Sequence, residues 1–327
     1  MKRPLVAGVG TALFVGVAAM LIMITPVATQ EPGPRFSAWG TATPLGAPFT
    51  NLGQQQGCPF IAKDDLNLYF RARVHPASNP SGWTWDIFVS HREAEDAPWG
   101  TPVNLGSKVN TDTSNELCSF LTIDGHWLYF VSNRPGGYGG SDIWLAHRKD
   151  KDDPTGWETP MNLGPVVNTS AGETGPSIFE DEASGEKIMY FTRSYPDWTA
   201  KIWQVRLLDN DNPSDPSEVA GLNSAGNINM HSFVRRKDGL EVIFISDRGN
   251  MDWWYDLYTS TRPTTASPWS TPVRLGTQVD PADPLADEAR PSLSWDGTTL
   301  YFWSDRNNAS YWLHLYKTTR TKITGKK

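Results

Sequence analysis

Three glutamates, Glu116, Glu173 and Glu288, are the residues of this sequence best suited to acid–base chemistry. Each stands just before a short apolar run that reads as a β-strand, at matching places in successive stretches of chain. Two carboxylates held close together can hydrolyse a glycosidic bond, one as acid and the other as base or nucleophile. That work needs unlike environments, so that the two pKa values separate. Glutamates at equivalent positions point instead to a hydrogen bond repeated for structural reasons. His231 lies in a fourth such strand, where the glutamate is missing. It is a candidate general base or ligand, set against an ordinary structural histidine. Catalytic residues stay unassigned, with Glu116, Glu173, Glu288 and His231 as weak candidates.

Aromatic side chains form a second set. Trp83 and Trp85, Tyr138, Tyr195 and Trp198, Trp253-Trp254-Tyr255, and Tyr311-Trp312 fall in corresponding loops. Aromatic faces stack on sugar rings while nearby polar groups read hydroxyls. Trp83, Trp85, Trp198, Trp253, Trp254 and Trp312 are the candidate ligand-binding residues. Packing between repeats is the competing role, above all for Tyr138 and Tyr195.

Other chemistries find little support. The six histidines have no metal-ligand spacing, and two cysteines are too few for a cysteine-rich zinc site, so neither metal nor cofactor is expected. No Ser-His-Asp order or nucleotide fingerprint occurs, and the glycine-rich run from Asn133 to Ser141 precedes a strand, not a helix. The acidic stretches Glu93 to Asp96 and Asp209 to Asp215 read as solvated loops. With 29 basic and 36 acidic residues the net charge is −7, which argues against nucleic acid as a partner.

The elements that must position these residues come from a repeat. Leu68-Tyr69-Phe70, Leu128-Tyr129-Phe130, Met189-Tyr190-Phe191, Val242-Ile243-Phe244 and Leu300-Tyr301-Phe302 have centres 60, 61, 53 and 58 residues apart. Each is followed by a second phrase: Asp86-Ile87-Phe88, Asp142-Ile143-Trp144, Lys201-Ile202-Trp203, Asp256-Leu257-Tyr258 and His314-Leu315-Tyr316. A Trp-x-x-Pro-x-x-Leu-Gly phrase starts at Trp99, Trp157 and Trp269. Five copies built of short strands predict an all-β, five-bladed β-propeller of four-stranded antiparallel blades over residues 36–320. The glutamates precede strand A, the triplets form strand B and the second phrases strand C. The Trp-x-x-Pro phrase lies on strand D, outermost because proline lacks an N–H donor. Asp124-Gly125, Asp238-Gly239 and Asp296-Gly297 suit two-residue hairpin turns between A and B. The fifth copy lacks strand D, while an orphan phrase at Trp39, Pro44-Leu45-Gly46 precedes the first copy. Residues around 36–50 are therefore expected to complete the last blade. Residues 321–327 read as a basic tail.

Two pairings follow. Arg134 and Asp142, and Arg248 and Asp256, are expected to bond across the B–C hairpin. In the fifth copy His314 leaves Arg306 needing another partner. Cys58 and Cys118 match on the first two A strands, so a disulfide, which needs Cα atoms within about 7 Å, stands beside two buried thiols as the alternative. At the N-terminus Lys2 and Arg3 precede an apolar run to Ile24. Residues 1–30 read as a signal peptide or uncleaved membrane anchor, so membrane association is expected only through that segment and the chain is expected to be exported, periplasmic or secreted.

The run Asn104-Leu105-Gly106, Asp124-Gly125, Leu128-Tyr129-Phe130, Ser132-Asn133-Arg134-Pro135-Gly136-Gly137 and Ser141-Asp142-Ile143 resembles the TolB-like, WD-repeat-like β-propeller unit of bacterial envelope proteins. The resemblance implies a fold and an envelope setting, and no reaction. The sequence thus points to an exported propeller that binds carbohydrate or an envelope protein through loop aromatics and channel-mouth carboxylates. A carbohydrate-active hydrolase using the axial glutamates is the alternative, and a purely structural scaffold a third.

Overall fold

All three residues of every aromatic triplet are buried, none more than 2% exposed. Strands buried on both faces read as continuous apolar runs rather than alternating ones, and here a neighbouring blade covers each face. The computed structural model describes residues 35–323 apart from 53–54, 77, 79–81, 183, 209–211, 249–254, 282–285 and 307–312. Residues 1–30, read from the sequence as a signal peptide or membrane anchor, lie outside the described residues. Among the described residues no helix is long and apolar enough to cross a membrane.

The described chain opens with β1 (Arg35–Phe36) and β2 (Thr43–Pro44). Blade 1 is β3 (Gln56–Ile61), β4 (Asn67–Val74), β5 (Thr84–His91) and β6 (Val103–Asn104). Blade 2 is β7 (Glu116–Leu121), β8 (Trp127–Ser132), β9 (Asp142–His147) and β10 (Met161–Asn162). Blade 3 is β11 (Gly172–Glu180), β12 (Lys187–Ser194), β13 (Ala200–Leu207) and β14 (Pro213–Glu218). Blade 4 is β15 (Asn229–Val234), β16 (Glu241–Ser246), β17 (Asp256–Thr261) and β18 (Val273–Arg274). Blade 5 is β19 (Glu288–Leu293), β20 (Thr299–Ser304) and β21 (His314–Thr319), completed by β2. Each blade is an antiparallel four-stranded sheet, so the chain is the expected five-bladed propeller.

The ring closes as the orphan phrase implies. Thr43 pairs with Lys317 and Pro44 with Tyr316. Beyond them β1 pairs with β22 (Lys322–Ile323), which lies in the stretch read from sequence as a basic tail. The tryptophan of each Trp-x-x-Pro phrase has one job. Arg92, Arg148 and Arg262 lie 4.4, 4.6 and 4.2 Å above Trp99, Trp157 and Trp269. Arg320 lies 4.2 Å above Trp39, so the clasp reproduces the contact in blade 5. Each of these arginines donates Nε to a carbonyl of its own A–B turn, at Asp65, Gly125, Gly239 and Gly297 (2.7–2.9 Å). A planar guanidinium can stack on indole while its edge hydrogen-bonds. These tryptophans therefore tie a blade to itself.

The A–B turns differ from the two-residue form expected. Thr122 N–H bonds the Trp127 carbonyl and Gly125 N–H the Thr122 carbonyl, giving a four-residue loop. Gly125 alone takes the left-handed conformation, at φ 80°. Asp124 explains its own place: it accepts hydrogen bonds from the Thr122 hydroxyl and the His126 N–H.

Strand A is interrupted by a bulge in all five blades, between Gly57 and Phe60, Leu117 and Phe120, Thr174 and Ser177, Met230 and Phe233, and Ala289 and Ser292. The first bulge residue is left-handed each time: Cys58 (φ 50°), Cys118 (44°), Gly175 (61°), His231 (50°) and Arg290 (58°). A bulge re-aims side chains, and these five surround the axis.

Candidate functional site at the axial mouth

The glutamates come first, because the sequence singles them out. Glu116, Glu173 and Glu288 have fully buried side chains, each bonded to an arginine of its own blade. Glu116 accepts hydrogen bonds from Ser132 Oγ (2.8 Å), Arg134 (3.1 Å) and the Thr111 N–H (3.0 Å). Glu173 accepts from Arg193 (2.8 Å) and from the Thr169 N–H and hydroxyl (2.9 and 2.7 Å). Glu288 accepts from Ser304 (2.7 Å) and Arg306 (2.9 Å). Gln56 and Asn229 take the same place in blades 1 and 4, where Ser246 and Arg248 bond Asn229 Oδ1. The set is a strut between the start of strand A and the end of strand B, and its carboxylates face no open space.

This corrects the expected Arg–Asp hairpin pairs. Arg134 and Arg306 turn to Glu116 and Glu288, and Arg248 to Asn229. The freed Asp142 caps the B–C turn, accepting the N–H groups of Tyr138 and Gly139 and the Asn162 amide. Asp256 takes Arg274 at 2.9 Å.

Burial raises the carboxyl pKa of Glu116 and Glu173, and the donors around them pull it back. Glu288 goes further, to about 8, chiefly by burial, with Asp280 adding repulsion. The reason is legible residue by residue. The N–H that serves the second oxygen of Glu116 and Glu173 comes from Thr111 and Thr169, each following an asparagine. In blade 5 the corresponding residues are Asp280 and Pro281. Proline has no N–H, so Glu288 Oε2 is left without a hydrogen bond. Asp256, Asp280 and Glu288 bring carboxylate oxygens within 4.8 Å of one another. Arg274 bonds Asp256 and Asp280, and Arg306 bonds Glu288, so the protein neutralises this group itself.

The five bulge residues close the axis. Cys58 and Cys118 are joined as a disulfide, with Cα atoms 4.8 Å apart. Arg290 reaches across from blade 5 to within 2.7 Å of Cys118 Sγ. His231 packs against Gly175, where a Cβ would fall 2.7 Å from its Nδ1. The ring and the residues after it line an open cavity of about 40 Å³. His231 is buried, and its pKa is lowered well below 6.5 by burial and then by Arg290 and Arg71, so the ring is neutral.

On the B–C and D–A side of this ring lies a group that sequence reasoning missed. Arg71 on β4 stacks 4.1 Å from the Trp85 ring. A Cβ at Gly57 would meet both Arg71 Nε (3.1 Å) and Trp303 Cδ1 (3.3 Å). Arg71 and Trp303 thus flank one glycine, on adjacent blades. Burial lowers the Arg71 pKa to about 10, and burial with repulsion from Arg71 lowers that of Arg290. Arg71 Nε, Trp303 Nε1 and His231 Nδ1 are buried without a hydrogen-bond partner.

The loop aromatics are dispersed. Trp85 is half-buried under Arg71, whereas Trp83 stacks on His75 (3.5 Å) and Arg73 (4.8 Å) and stays half exposed. Trp198 projects at 78% exposure from the turn between β12 and β13, and Tyr138 is also exposed. Trp253, Trp254 and Trp312 lie outside the described residues. Of the candidate aromatics, Trp85 is the one the described structure joins to the axial group.

No family profile matches the chain, and no curated protein matches it. Solved structures do. An α-L-arabinofuranosidase from Lactobacillus brevis is 14% identical, with a TM-score of 0.57 over 85% of this chain and 93% of that one. An endo-arabinase from Bacteroides thetaiotaomicron is 15% identical, with a TM-score of 0.51 over 89% and 99%. A putative TolB from Agrobacterium tumefaciens is 14% identical with a TM-score of 0.45 over 79% and 72%, too weak to weigh. At such identities the likeness establishes the five-bladed fold alone.

Proposed function

We propose that this propeller recognises carbohydrate at its axial mouth. The observation that carries the reading is the half-buried group of Arg71, Trp85, Arg290 and Trp303, which combines aromatic surface with polar hydrogens lacking acceptors. Aromatic walls with a few converging polar groups are the usual make-up of a small-ligand site. Binding across a glycan panel, with loss of at least tenfold in affinity for Trp85→Ala, is the expected result. Absence of binding by the wild-type protein refutes it.

A hydrolytic form of the same reading draws support from the arabinan-directed names of the structural neighbours. It also draws on Glu288, whose pKa of about 8 makes it a carboxyl protonated at neutral pH. A general acid needs that state. Its full burial favours recognition over hydrolysis. Reducing-sugar release abolished by Glu288→Gln would establish the hydrolytic form, and no release from any tested polysaccharide removes it.

The disulfide supports an exported chain, since such bonds persist in oxidising compartments, as does the charged and apolar start of the sequence. The repeat phrases support kinship with the TolB-like unit and hence an envelope protein as a further partner. Fractionation of cells expressing the full chain is expected to place it outside the cytoplasm.

A further inference from the structure

We propose that the axial mouth binds the carboxylate of an acidic, uronate-bearing saccharide, held by Arg71 and Arg290 with Trp303 beside them. The inference rests on the carbohydrate reading above and names the class of sugar.

Arg71 and Arg290 supply donors and no acceptor, and an indole N–H is donor only. Neither arginine has a carboxylate within ion-pair distance among the described residues; Arg290 touches only a disulfide sulfur, a weak acceptor. The ligand that satisfies such a site must bring acceptors and negative charge. A carboxylate is planar and matches the guanidinium fork.

Other arginines of the blades have partners within the fold. Arg134, Arg193, Arg248 and Arg306, around the ends of strand B, bond Glu116, Glu173, Asn229 and Glu288. Those stacked on Trp99, Trp157, Trp269 and Trp39 bond turn carbonyls. Arg71 and Arg290 instead repel one another in a half-buried place. The propeller does not need them there. In the other blades the position of Arg71 holds Val131, Thr192, Ile245 and Trp303. The position of Arg290 holds the two cysteines, Gly175 and His231. Arg71 lies against Gly57, and Arg290 against the disulfide that begins at the next residue, Cys58. Two cations on neighbouring blades, with no carboxylate partner among the described residues where the repeat demands neither, are explained by an anion that arrives from outside.

Trp85 lies under Arg71 and Trp303 faces it across Gly57, so a bound carboxylate would sit among aromatic walls suited to a pyranose ring.

Calorimetric titration tests the proposal with oligouronates of several linkages, the same oligomers after reduction of their carboxyls to alcohols, and peptides with a free C-terminal carboxylate. The expected result is binding of at least one oligouronate, weakened tenfold or more by carboxyl reduction, by added salt, and by either Arg71→Gln or Arg290→Gly. Arg290→Gly should keep or raise the melting temperature, which separates loss of binding from loss of fold. Equal affinity for an oligouronate and its reduced form overturns the charge recognition and leaves the carbohydrate reading standing. Failure of every saccharide overturns both. Tighter binding of the peptides overturns the saccharide assignment, and unchanged affinity in both arginine variants overturns the site.

Discussion

At the scale of single residues, Glu288 shows how a repeat acquires individuality. Its counterparts in blades 2 and 3 also bond an arginine, Arg134 from the place of Arg306 and Arg193 from the place of Ser304. Burial is the main cause that raises the Glu288 pKa to about 8, and exchanging an Asn-Thr pair for Asp280-Pro281 adds to it by removing one N–H donor and bringing in one carboxylate. The consequence for stability has a definite sign. With a folded pKa above the unfolded value of 4.5, the native state holds a proton that the unfolded chain releases between these values. Stability from this group is therefore greatest below about pH 4.5 and falls as pH rises towards 8. Glu288→Gln should cancel that decline, leaving the variant relatively more stable at pH 8 than at pH 5 in paired denaturant titrations. A difference from wild type that does not change with pH contradicts a protonated Glu288.

At the scale of elements, the bulge in strand A decides what meets at the axis. An L-residue held left-handed is disfavoured by roughly 1–2 kcal/mol, a cost the glycine in blade 3 avoids. Arg290→Gly should therefore gain on the order of 1 kcal/mol in denaturant stability while losing the charge proposed to bind ligand. A loss of stability would mean that the arginine serves the fold. The disulfide acts on the same bulges. It closes a loop across 60 residues between blades 1 and 2, and on chain-entropy grounds its removal should cost about 2–4 kcal/mol. Chemical denaturation of a Cys58→Ser, Cys118→Ser double variant measures this, and an unchanged midpoint would show that the blade interface suffices without the bond. The bulge was available to a reader of the sequence. Each left-handed residue lies two positions after Gln56, Glu116, Glu173, Asn229 or Glu288, and proline follows it in three blades, at Pro59, Pro176 and Pro291. A proline inside a strand marks a bulge or an edge, and strand A, bonded to strand B alone within its blade, is both bulged and an edge.

At the scale of the whole molecule, the circle depends on its two ends meeting. Residues around Thr43 and Pro44 cover the outer edge of β21, and Trp39 completes the arginine stack on Arg320. Deleting residues 36–46 should expose that edge for pairing with other chains. Self-association in sedimentation velocity and a lower melting temperature are expected, whereas an unaltered monomer would show that the clasp is dispensable.

Repeat number, strand order and the orphan outer strand could all be read from the chain, because propeller blades are local units and their phrases recur at a fixed distance. The glutamates and cysteines were also visible, as matching letters at matching places. Their roles were not. Arg134 has Asp142 eight residues away and Glu116 eighteen away, and it bonds the more distant one. The antiparallel register of the A–B hairpin decided that, since it sets Glu116 opposite Ser132 at the end of strand B, where the carboxylate is buried. Arg71 and Arg290 lie 219 residues apart in sequence, break the repeat rather than follow it, and become a pair only when blade 5 comes round to blade 1. Periodicity determines what is alike in every blade; closure in three dimensions determines which unlike residues meet at the centre.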